Sequence, residues 1–217
     1  MDSLKWIGSN AALNFEGSIG VAEELLSIHV LLGTGKRGRP GKYLEALKRA
    51  TIIMAVTAWE TYIEDFLLAR FRDSIAKAVK PQDVASSFNA AAHRWLETHR
   101  HKPPELARWA GDSWKDTVRA YVDAEVAAFH TPNSTNIRAL SRRLSGTDVT
   151  EHWHWRGIST SRAAARLDKL IRRRGELAHQ GKRLLEENAD VRLREARDAI
   201  ALCRALARAT EMNDRAG

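Results

Sequence analysis

Cysteine is almost missing from this chain: Cys203 stands alone among 217 residues. No internal disulfide can form, and stability must come from buried apolar surface, as is usual for proteins of a reducing compartment. Ile200, Leu202 and Leu206 around it mark the thiol as a small buried hydrophobe. Proline is scarce too, with five residues, which leaves long stretches free of helix breakers. Uninterrupted apolar runs are lacking. The most apolar early segment, Ile19 to Leu32, contains Glu23, Glu24 and His29, so neither a membrane span nor a cleaved leader is expected, and the chain is expected to stay in the cytoplasm. Metal-ligand spacing is lacking as well. His93, His99 and His101, and separately His152 and His154, have no cysteine pair or compact acidic cluster beside them, so no metal and no cofactor is expected. The Gly33-Thr34-Gly35-Lys36-Arg37-Gly38 segment spells a dinucleotide fingerprint, but it follows a helix-like stretch and not a strand.

What the chain does have is positive charge and helical periodicity. Thirty-five Lys and Arg outnumber 27 Asp and Glu, for a net charge of +8. That excess favours an anionic partner, nucleic acid first, although arginines spread along the whole chain also suit a solvated helix surface. With 44% hydrophobic and 29% charged residues, the composition is that of an ordinary folded domain.

The pattern predicts an all-α protein and one domain over residues 1–217. Leu25, Ile28, Leu31 and Leu32 form an apolar stripe on a first helix that ends at Gly33, and residues 33–41 (GTGKRGRPG) make a basic, flexible loop. From about Lys42 to Ala78 apolar residues surround the axis, as expected of a central helix with several neighbours. Residues 82–130 carry shorter helical patterns, broken by Pro103-Pro104 and Gly111, and read as an inserted or peripheral layer. Asn133 or Ser134 can cap a short helix that Gly146 closes. Ser159 or Thr160 can cap the next, and a last helix around Val191 to Thr210 shows Ala196, Ala199, Ile200, Cys203, Leu206 and Ala207 on one side.

One residue breaks this pattern. Counting about 100° per residue from Leu167 puts Leu170, Ile171, Arg174, Leu177 and Ala178 on one stripe. Arg174 therefore points toward the helix's neighbours, where an unpaired charge costs on the order of 3–5 kcal/mol. It needs a carboxylate or an anionic ligand, and Glu60 and Glu64 on the central helix are the candidate partners. His179 lies about 140° further round an ideal helix, so the two side chains of one chain diverge. A two-fold dimer would bring the pair from both copies into one cleft. Spacing alone equally allows a core salt bridge and a helix-closing histidine.

Leu170-Ile171-Arg172-Arg173-Arg174-Gly175-Glu176-Leu177-Ala178-His179-Gln180-Gly181 resembles the signature of the HEPN superfamily: an arginine, four to six residues, then a histidine in a helix that often ends Ala-His-Gly. Ala58-Trp59-Glu60-Thr61-Tyr62-Ile63-Glu64-Asp65-Phe66-Leu67 is similar to the upstream helix of the bacterial RiboL-PSP and MAE-type members. The stretch from Asn133 to Gly146 is similar to the segment that precedes the motif helix in those groups. The resemblance implies an HEPN-like helical bundle, here with an additional helical layer between the central and motif helices. It also implies a homodimer and a metal-independent endoribonuclease of toxin–antitoxin or phage-defence systems that leaves 2′,3′-cyclic phosphate ends on RNA. Carried over, His179 would move protons and Arg174 would stabilise the phosphorane, with Glu60 and Glu64 in support. A cognate antitoxin or inhibitor is an expected partner. Gly175 departs from many active members, which place Asn, Asp or His after the arginine; a non-catalytic module holding RNA, nucleotide or protein is the alternative.

Arg172, Arg173 and Lys182 are expected to grip flanking phosphates or simply face solvent. Arg37-Gly38-Arg39-Pro40 matches the core of an AT-hook and would also serve as a plain basic connector. Trp153 and Trp155 either stack on bases or anchor their irregular segment to the core.

Overall fold

Between Lys42 and Lys77 the sequence contains neither glycine nor proline, and it forms one 36-residue helix. In the computed structural model, which describes residues 9–33, 42–99, 109–179 and 191–214, this central helix is the second of seven. In order they are α1 (Asn10–Gly33), α2 (Lys42–Lys77), α3 (Ala85–Thr98), α4 (Ser113–Ala127), α5 (Ser134–Ser145), α6 (Thr160–His179) and α7 (Leu193–Asp214). Short 3-10 turns, Pro81–Val84 and Val149–His152, join them. The described residues contain no strand beyond an isolated bridge between Trp155 and Ile158, so the all-α expectation holds. Most of the basic loop, including Arg37 to Pro40, lies outside the described residues, as do Lys182 and the side chain of His179.

The core closes around most of α2, as its apolar pattern predicts, but leaves one face open, where Thr57 and Thr61 are exposed. Ile52, Val56, Trp59, Tyr62, Ile63, Phe66, Leu67, Phe71 and Ile75 are all buried. Buried aromatics need partners for their polar ends, and they have them. The indole N–H of Trp59 donates to the Pro132 carbonyl at 3.3 Å, that of Trp153 donates to Thr210 Oγ1 at 3.0 Å, and the Tyr62 hydroxyl reaches the Ala207 carbonyl at 3.1 Å. Trp153 is fully buried, edge-on to Trp59, so it anchors its segment and is not open to a base.

The buried face of α1 differs from the expected one. Ala11, Ala12, Phe15, Ile19, Ala22, Leu26 and His29 face inward, whereas Ile28, Leu31 and Leu32 are 43%, 71% and 59% exposed. Small alanines let α1 approach α2 closely, which brings Phe15 to 5.3 Å from the Tyr62 ring. His29 can join that face because its Nδ1 pairs with the Leu44 carbonyl at 2.9 Å.

The layer from residue 82 to 130 also does more than flank the core. Ala91, Trp114, Val118, Val122, Val126 and Phe129 are buried in the same apolar cluster as α2. Beyond it, Asn133 caps α5 by accepting the Asn136 amide at 2.8 Å, and Gly146 closes it in the left-handed conformation, with φ of 77°. Ser134, the other capping candidate, instead gives both its amide and its hydroxyl to the Asp168 carboxylate, each at 2.8 Å. That pair fastens the first turn of α5 to the middle of α6.

Candidate active site

Leu167, Leu170 and Leu177 are buried along α6, and their stripe carries Arg174 inward as counted, to a half-buried position. Ala178, assigned to the same stripe, is exposed. Arg174 opens onto a cavity of about 750 Å³ between α2, α4 and α6. Glu60, Thr61, Glu64 and Asp65 line it from consecutive turns of α2, over a floor formed by Leu68, Val126 and Phe129. Asp123 of α4 and His130, on the connection after α4, complete the polar lining. Both expected carboxylates thus share one space with the arginine.

The charges there are poorly matched. Burial raises the carboxyl of Glu60 above its ordinary range, while the charges of Arg174 and then His130 pull it back. Glu64 gains no such relief. Burial, then the charges of Glu60 and Asp65, push it up to about 7. Among the described residues no ion pair joins Arg174 to either glutamate, and its buried Nε finds no hydrogen-bond acceptor. A charged donor buried without an acceptor costs about 1–3 kcal/mol, and neither glutamate relieves that cost at Nε.

Arg173, one residue earlier, is already engaged. Its Nε donates to Glu195 of α7 at 2.8 Å and its Nη1 to Glu176 at 3.1 Å, which makes it a tie between α6 and α7 more than a free phosphate ligand. Arg172 is exposed in a groove between those helices, together with Arg166, Lys169, Arg192, Arg194 and the half-buried Trp155. Gly175 is not demanded by packing, since a Cβ built there meets nothing within 4 Å. His179 is the final residue of α6. No group of three or more His, Cys, Asp or Glu side chains among the described residues is arranged to hold a metal ion, and none of their helices is long and apolar enough to cross a membrane. Cys203 is buried, its thiol pushed up to about 12 by burial alone, which suits the inert hydrophobe expected.

The RiboL-PSP-HEPN family model matches residues 21–211. This chain belongs to the RiboL-PSP-HEPN family. No curated protein and no solved structure matches it. The match runs from α1 into α7 and so takes in α3 and α4 with the central and motif helices. Membership of this HEPN family accords with an RNase or nucleotide-related role. His130, Asp65 and Asp123 are the lining residues that sequence reasoning missed. Asp65 stands in the segment similar to the upstream HEPN helix, but Asp123 and His130 belong to no local motif, and His130 lies 44 positions before Arg174, so only the packing of α4 against α2 reveals its place.

Proposed function

We propose that this HEPN domain is an endoribonuclease, a toxin or defence effector that cuts RNA without a metal ion and leaves 2′,3′-cyclic phosphate ends. The observation that carries the reading is Arg174: a half-buried guanidinium with an unmatched Nε, opening onto a cavity on the motif helix. Arginine stays charged at any physiological pH and offers a planar fork of donors, which fits the equatorial oxygens of a phosphorane. The second group is His179, supplied by a second copy in a homodimer, because imidazole is the side chain suited to proton transfer at neutral pH. Glu60 shares the cavity with Arg174, and its charge attracts the guanidinium across it.

The groove between α6 and α7 supports RNA as the partner. Arg166, Lys169, Arg172, Arg192 and Arg194 line it, all exposed, and Trp155 offers an aromatic edge. Arg194 shares its charge with Asp198 at 3.6 Å. If all five cations meet phosphates, the affinity for single-stranded RNA falls with salt along a log–log slope of about −3.5.

The test is incubation of the purified protein with RNA in the presence of a chelator. The expected result is cleavage to cyclic phosphate ends, lost in His179→Ala and reduced about 100- to 1,000-fold in Arg174→Ala. Gly175 favours one alternative, a binding module without catalysis, because it leaves the position after the arginine without a polar side chain. A folded wild type that binds RNA and never cuts it establishes that alternative.

A further inference from the structure

Cleavage of this kind needs two proton transfers. One removes the proton of the attacking 2′-hydroxyl, the other protonates the leaving 5′-oxygen, and these oxygens lie on opposite sides of phosphorus in an in-line displacement. A single imidazole serves one side. The Arg174 cavity contains a second imidazole within the same chain, that of His130.

His130 is exposed to solvent yet firmly placed. The preceding Phe129 is buried, the Pro132 carbonyl two residues on accepts the Trp59 indole N–H at 3.3 Å, and Asn133 then caps α5. The backbone on either side is thus held by the core while the ring faces the cavity. The charged and titratable groups that share that cavity are Glu60, Glu64 and Asp65 from α2, Asp123 from α4 and Arg174 from α6. Glu60 lies near enough for its charge to act on both Arg174 and His130, which links the phosphate-binding fork and the imidazole through one carboxylate.

We propose that His130 is a proton-transfer residue of the Arg174 cavity, acting as general base on the ribose 2′-hydroxyl of bound RNA. This rests on the ribonuclease reading above. The neutral ring nitrogen of His130 takes the 2′-hydroxyl proton as the O2′–P bond forms. The P–O5′ bond breaks with its electron pair on O5′, and the imidazolium of the second copy's His179 protonates that oxygen. The products are a 2′,3′-cyclic phosphate and a 5′-hydroxyl. One histidine gains a proton and the other loses one, so solvent exchange alone resets the pair.

The experiment is the pH profile of kcat/KM on a single-stranded RNA for wild type, His130→Ala, Glu64→Gln and the inert control His179→Ala. His130 is exposed on a connection, so the alanine variant is expected to keep the wild-type circular dichroism and RNA affinity. Its kcat/KM falls about 100- to 10,000-fold at neutral pH, the acid limb of the profile disappears, and added imidazole restores part of the rate. A structural role would not respond to imidazole. If wild type cuts RNA and His130→Ala stays within threefold of it, the proposal is overturned and the ribonuclease reading stands. Loss of the acid limb in Glu64→Gln but not in His130→Ala assigns the base to Glu64 and likewise overturns it. A wild type inert on every RNA overturns both readings together.

Discussion

Replacing Glu64 with glutamine removes the least comfortable charge in the cavity, and it should make the protein more stable. The wild-type carboxyl is pushed from an ordinary 4.5 up to about 7, by burial first and then by the charges of Glu60 and Asp65. The folded protein therefore holds this proton more tightly than the unfolded chain does. Its stabilising effect is complete below about pH 4.5, declines as the pH climbs, and is gone above about 7. A displacement of that size corresponds to at most about 3 kcal/mol, and solvent screening at a part-buried side chain reduces it to about 1–2 kcal/mol. Glutamine keeps the shape and cannot ionise. In urea unfolding followed by circular dichroism, Glu64→Gln should match wild type at pH 5 and exceed it by about 1 kcal/mol at pH 8. A variant destabilised equally at both pH values would refute the electrostatic account and show that the side chain matters through its contacts instead.

Two further substitutions test the backbone. Gly146 has φ of 77°, and a Cβ there would sit 2.7 Å from Ser86 Oγ; Gly146→Ala should cost about 1–2 kcal/mol from the left-handed conformation, and a Ser86→Ala background should relieve only the contact, as thermal unfolding of the double variant will show. Gly175→Asn finds open space, so its stability should stay within about 0.5 kcal/mol of wild type, and turnover on RNA should rise; unchanged turnover would remove Gly175 as the feature that limits catalysis.

Legibility of the sequence followed the range of each interaction. The length of α2 was readable because nothing between Lys42 and Lys77 can break a helix, and the ends of α5 were readable because Asn133 and Gly146 act on their own neighbours. Arg174 announced itself as a charge on an apolar stripe, and Glu60 and Glu64 followed as the acids one turn apart on the helix it would meet. The face of α1 was misread because Ile28, Leu31 and Leu32 make the greasier stripe, while close approach to α2 selects the alanine side. Trp114, Val118, Val122 and Val126 recur every fourth residue and signal a buried face, yet their place beyond a proline pair made the segment look peripheral. Arg173's attachment to Glu195 and His130's entry into the cavity depend on helices that meet only in three dimensions.

The hold of Asp168 on Ser134 gains its meaning from that attachment. α6 is gripped once near its middle by α5 and again, five residues on, by α7 through Arg173. A rod clamped at two points resists rolling about its long axis, which holds the bearing of the residue next to the second clamp. The helix that carries Arg174 is therefore held by both neighbours, and under the proposed function a phosphate would meet an arginine already aimed at the cavity.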